Sequence, residues 1–132
     1  MLIRQLSVFL ENRQGKFAEI ARLLGNNGIN MKAFTVSESA DFGIARIIVE
    51  REKIDSAYNL LKSHSYAVSI HQVNYLNSPN QPGVMAIAME ELSKAGVSIE
   101  YMYAFADDDS HNCHLVIRTN NDEVANRILS EL

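Results

Sequence analysis

The sequence predicts an α+β fold made of two copies of one strand-helix-strand-strand-helix-strand unit, each an antiparallel sheet with both helices on one face. Three observations predict it. Stretches that alternate polar and apolar residues are separated by segments whose apolar residues recur at helical spacing. Glycines stand at matching places before and after the first helix of each copy. The chain also aligns with itself at an offset of 68 residues, without a gap from Asn12 to His64.

Taken in order, residues 3–10, "IRQLSVFL", are branched, partly aromatic and roughly alternating, as a strand requires. A short polar loop holds Gly15. Phe17, Ile20, Ala21, Leu23 and Leu24 then form one apolar stripe of an amphipathic helix. Gly25 and "NNG" stop it, with Gly28 suited to the left-handed conformation that ends helices. Residues 29–37, "INMKAFTVS", make a second strand, "ESADFG" a hairpin turn containing Gly43, and "IARIIVE" a third strand. Ile54, Ala57, Tyr58 and Leu61 mark the second helix, and "YAVSIHQVNYL" is a long final strand. This is the split βαβ, or ferredoxin-like, pattern.

The offset places Gly15 on Gly83, Ala18 on Ala86, Leu24 on Leu92, Gly28 on Gly96, Ala57 on Ala125 and Leu61 on Leu129. It also lays "RIIV" on "HLVI" and "GIN" on "GVS". The matches fall on glycines and periodic apolar positions, where geometry demands them. Two units are expected, 1–70 and 71–132, the second lacking its final strand. An unpaired first strand in that copy would expose a row of backbone groups. A partner subunit, a strand shared through 66–76, or further residues would have to cover it.

Composition narrows the function. The chain has 132 residues, 47% hydrophobic, with net charge -4 and a pI near 5.5. Its Lys and Arg are scattered singly, so no basic footprint for nucleic acid is present. No apolar run approaches the roughly 18 residues that span a bilayer. The start "MLIRQLSVFLENRQG" is unlike a signal peptide, and the single Cys113 makes no internal disulfide. The expectation is a cytoplasmic protein with no nucleic-acid or membrane partner.

At "LENRQGKFAEIARLLGNNGINM" the unit resembles the ACT domain, the small βαββαβ module that binds amino acids in regulated metabolic enzymes. "NRQG" opens a helix and "GIN" opens the second strand; the second copy repeats them as "NQPG" and "GVS", with Pro82 giving the P-G form common in that family. The resemblance covers nearly all of both copies and implies a tandem ACT protein. It also implies a non-enzymatic regulator, a homodimer, and a metabolic enzyme or regulator as further partner. No cofactor is implied.

The loop chemistry agrees. A helix starting just after Gly15 has unsatisfied backbone N–H groups and a partial positive charge, able to hold a carboxylate. Glycine lets the backbone approach a ligand closely, and Asn12 offers both an acceptor and donors. The expected ligand residues are therefore Asn12, Arg13, Gln14, Gly15 and Lys16, with Asn30 and Met31 facing this loop or that of a partner domain. By analogy Asn80, Gln81, Pro82, Gly83 and Val84, with Ser98 and Ile99, form a second site. In the serine-binding ACT domains of phosphoglycerate dehydrogenase, a histidine lies two residues before the asparagine. Leu10 and Ser78 stand there in this chain, which argues against serine.

Rival constellations are weaker. "DDDSHNCH" gathers Asp107, Asp108, Asp109, His111, Cys113 and His114, residue types that bind zinc or nickel. Alternation, however, sends Cys113 to the face of Leu115 and Ile117 and His114 to the opposite face. No metal residue is assigned; the alternatives to amino-acid binding are an ACT-type oligomerisation or interaction module without ligand and, less favoured, a metal-responsive regulator whose ligands pair across a dimer. Ile99, Tyr101, Tyr103 and Phe105 share a strand face that is expected to pack on helices, as are Met31 and Ala33. Phe34, Val36, Met102 and Ala104 are then expected on an open, unusually apolar face. No phosphate loop or glycine-bounded nucleophile turn supports catalysis.

Overall fold

The computed structural model describes residues 1–11, 13–38 and 42–132. The hairpin turn expected at "ESADFG" lies partly outside them, as does Asn12. In chain order the elements are β1 (Leu2–Glu11), α1 (Lys16–Asn26), β2 (Met31–Glu38), β3 (Phe42–Val49), α2 (Ile54–Ser63), β4 (Ala67–Pro79), α3 (Val84–Lys94), β5 (Ile99–Asp107), β6 (Asn112–Thr119) and α4 (Asp122–Ser130). A 3-10 turn over Arg51–Lys53 leads into α2. The two compact units are Arg4–His71, and Gln72–Leu132 together with Met1–Ile3.

In the first unit the hydrogen-bonded strand order is β2-β3-β1-β4. β1 and β3 run antiparallel with Val8 opposite Ala45 and Leu6 opposite Ile47. Alternation then sends Leu6, Val8 and Leu10 of β1, with Ala45, Ile47 and Val49 of β3, to one face. They bury there against Ile20 and Leu24 of α1 and Ala57 and Leu61 of α2. Fully burying each such aliphatic side chain is worth about 1.5–3 kcal/mol, and this core holds both helices on that face.

The second unit repeats the plan with β4-β6-β5. Leu115 and Ile117 of β6 bury against Ala88 and Leu92 of α3 and Ala125 and Leu129 of α4. α4 is capped by Asn121, whose side chain accepts from the Val124 N–H. The edge left by the missing strand is met by the start of β1. The Tyr75 N–H donates to the Met1 carbonyl at 2.8 Å, and the Met1 amino group donates to the Tyr75 carbonyl at 3.0 Å. The thirteen residues of β4 serve as last strand of the first unit and first strand of the second.

Register corrects the expected faces of β2 and β5. Each strand has an irregularity after its first residue, between Met31 and Ala33 and between Ile99 and Tyr101. These positions correspond under the repeat. One extra residue reverses every later side chain. Met31, opposite Val49, packs on the helical core, whereas Ala33 does not. Phe34 faces the helices instead, its ring 5.6 Å from that of Phe17 on α1. In β5, Tyr101, Tyr103 and Phe105 pair with Arg118, Val116 and His114, away from α3 and α4; Met102 and Ala104 pair with the core residues Ile117 and Leu115. Cys113 packs on the helical core, and the His114 ring stacks on Phe105 with centroids 4.8 Å apart.

Candidate functional site

Each first helix begins at a glycine in the left-handed conformation, φ 87° at both Gly15 and Gly83. An added Cβ would meet no atom within 4 Å at either position. Backbone geometry, not crowding, demands glycine here.

The loop hydrogen bonds are duplicated. In the first copy the Arg13 N–H donates to the Glu11 carbonyl, Lys16 to Arg13 and Glu19 to Gly15; in the second, Gln81 donates to Pro79, Val84 to Gln81 and Ile87 to Gly83. The N–H groups of Phe17 and Ala18, and of Met85 and Ala86, have no acceptor among the described residues. These are the orphan donors of a helix start, carrying the positive end of its dipole. Neither helix has a side-chain cap among the described residues.

A cavity of about 230 Å³ opens at the first of these helix starts. Leu10, Glu11, Arg13, Gln14, Gly15, Lys16, Phe17, Val36 and Gly43 line it. Arg13 is paired with Glu11 at 3.0 Å and Lys16 with Glu19 at 3.3 Å. The Tyr66 hydroxyl also donates to Glu19 at 2.9 Å. The Tyr66 hydroxyl and then the Lys16 ammonium hold the Glu19 carboxyl below its ordinary range, while burial and that carboxylate push the Tyr66 phenol up. The second loop presents Gln81, Pro82 and Val84 where the first has Arg13, Gln14 and Lys16. Asn80 donates its N–H to the His111 carbonyl at 2.9 Å.

Not every expected residue gathers there. Met31 pairs with Val49, while Gly43 pairs with Glu38, so Asn30 and Met31 stand at the end of β2 far from Gly15. Ser98 and Ile99 likewise sit beside Asn120 and Thr119, far from Gly83. Val36 and Gly43 are the residues that sequence reasoning missed. The signal for them was topological: a strand returning antiparallel to α1 brings its end, not its start, back to the level where α1 begins. Among the described residues, no group of three His, Cys, Asp or Glu side chains is placed to hold a metal. No helix among them is long and apolar enough to cross a membrane.

A family model described as an ACT domain pair matches residues 1–131. The crystal structure of protein BT0572 from Bacteroides thetaiotaomicron is similar, with 41% identity and a TM-score of 0.90 over 99% of this chain and 88% of that one. The regulatory subunit of aspartate kinase from Thermus thermophilus, in its ligand-free form, shares 13% identity at a TM-score of 0.70, over 99% of this chain and 96% of its own. The regulatory subunit of aspartate kinase from Thermus flavus gives 14% and 0.67, over 99% and 94%. At such identity the last two likenesses are of fold. No curated protein matches the sequence.

Proposed function

This chain belongs to the ACT domain pair family, and we propose that it is a non-catalytic regulatory protein that binds a free amino acid where α1 begins. The orphan N–H groups behind Gly15, beside a cavity lined by Arg13 and Lys16, are the observation that carries this reading. The ligand carboxylate lies on the Phe17 and Ala18 amides, with Lys16 adding positive charge. Asn12 meets the polar groups, and Leu10 and Val36 contact the side chain. Asn80, Gln81, Pro82, Gly83 and Val84 form the corresponding, uncharged site of the second copy. Asn30, Met31, Ser98 and Ile99 contribute only from a second copy of the chain, as in a homodimer. Binding then biases how subunits pack, so an attached or partner enzyme or regulator senses the amino acid. The aspartate kinase relatives are themselves regulatory subunits.

A thermal-shift screen of the twenty amino acids tests this. A ligand at 100 times its Kd adds about 2.7 kcal/mol of stability. The variant Asn12→Ala with Asn80→Ala should keep the melting temperature of the free protein and lose the ligand's effect; equal affinity in that variant sinks the reading. A second reading is an assembly module without ligand, favoured by Phe34, Val36 and Met102, which are 51%, 42% and 42% exposed on edge strands β2 and β5. It predicts self-association that Phe34→Ser with Met102→Ser abolishes, in a protein no amino acid stabilises.

A further inference from the structure

A larger cavity, about 530 Å³, lies at the same end of the first unit's sheet but on its β4 side. It forms because β4 begins only at Ala67, so the last residues of β1 run on beyond it. Phe9 of β1, Phe42 of β3 and Tyr66 wall it with aromatic rings; Lys16 and Glu19 of α1 place opposite charges in it, and Glu11, paired with Arg13, adds a second carboxylate. The Phe9 and Phe42 rings are tilted at 46° with centroids 5.9 Å apart, and both stay about half exposed, at 50% and 44%. The Lys16 side chain, by contrast, is only 17% exposed and held at Glu19. Tyr66 fixes Glu19 from the other side at 2.9 Å. Ser65, also lining the cavity, is one of only two non-glycine residues with positive φ among those described.

We propose that this cavity is a second binding site, distinct from the helix start at Gly15, for an amino acid with an aromatic side chain. The ring lies against Phe9 and Phe42, where tilted and offset aromatic contacts are favourable. The carboxylate meets Lys16 and the ammonium meets Glu19 on the α1 side of the cavity, while Phe9 and Phe42 stand on the other face of the sheet at the same end. A cation and an anion side by side, fixed before the ligand arrives, match a zwitterion better than a simple acid or amine. The site has no counterpart in the second unit, where Asn77 and Ser110 replace Phe9 and Phe42, and Val84 and Ile87 replace Lys16 and Glu19.

The chain contains no tryptophan, so L-tryptophan can be its own probe, excited where tyrosine does not absorb. Adding protein should give a saturable blue shift of the ligand's emission. Tryptamine, lacking the carboxylate, and indole-3-propionate, lacking the ammonium, should each compete about tenfold less well. Phe9→Ala with Phe42→Ala should weaken tryptophan about tenfold. Both side chains are half exposed, and an unchanged urea midpoint verifies that this variant is folded. Lys16→Met should also weaken tryptophan, but Lys16 lines both cavities, so the Phe9, Phe42 and Val36 variants are the ones that tell the two sites apart. Val36→Glu, which alters only the smaller cavity, should leave tryptophan binding intact. If tryptophan binds wild type and the Phe9, Phe42 variant equally, or Val36→Glu abolishes binding while that variant does not, the second site is refuted and the helix-start reading stands. If tryptophan, phenylalanine and tyrosine all fail to bind while a non-aromatic amino acid stabilises the protein, the second site alone falls. If no amino acid binds, both fall.

Discussion

Gly15→Ala and Gly83→Ala test the repeated helix start directly. Each glycine sits at φ 87°, where a Cβ meets its own backbone but no neighbour within 4 Å. The cost is therefore backbone strain, about 1–2 kcal/mol for an L-residue in the left-handed region. Part is offset, by about 0.4–1 kcal/mol, because alanine also restricts the unfolded chain. The expected net loss is about 1 kcal/mol at each site, roughly 3–5 °C in melting temperature for a chain of this size. Asparagine tolerates the left-handed region better, so Gly15→Asn and Gly83→Asn should lose less than the alanine variants. Urea unfolding is followed by far-ultraviolet circular dichroism and by tyrosine fluorescence, because two units need not unfold together. Alanine variants as stable as wild type would refute the left-handed helix start. A loss above about 3 kcal/mol would exceed what strain supplies and mean that the side chain meets something.

Leu24→Ala and Leu92→Ala remove corresponding side chains, 0% and 1% exposed; each should cost about 3–5 kcal/mol in urea unfolding, and a cost under about 1 kcal/mol would contradict the core. Tyr66→Phe should raise the Glu19 carboxyl toward its ordinary value of 4.5, read from that carbon in an NMR titration. Because the folded carboxyl is depressed, its contribution to stability is present above about pH 4.5 and fades as pH falls through the lower folded value. The variant's acid limb should therefore lie at higher pH than wild type's. Arg118→Met removes an N–H donor from the Gln72 carbonyl at 2.6 Å and from Asp122 at 2.9 Å. A loss of about 1–3 kcal/mol is expected in urea unfolding, and no loss would show that this pairing is not held in solution.

Much of the fold was legible in the sequence because its causes are local. Apolar spacing from Phe17 to Leu24 and from Ile54 to Leu61 marked helices that the structure contains. Gly28 and Gly96 do end their helices left-handed, at φ 71° and 74°, with Ile29 donating to Leu24 and Val97 to Leu92. The opposed faces of Cys113 and His114 likewise followed from alternation alone. Such features depend on a few neighbouring residues, so spacing and residue type suffice.

What the sequence by itself determined was thus a duplicated unit with glycine-bounded first helices and the positions of most strands. Tertiary structure alone decided the rest. An extra residue at the start of β2 and of β5 reversed their faces, and apolar residues on both sides left no sign of it in the alternation. Only pairing across the sheet showed that Met1 meets Tyr75 and that Met31 lies far from Gly15 while Val36 lies near. The aromatic cavity joins residues as distant as Phe9 and Tyr66. Strand neighbours and register rest on hydrogen bonds between residues far apart in the chain, where periodicity carries no information about which partner is met.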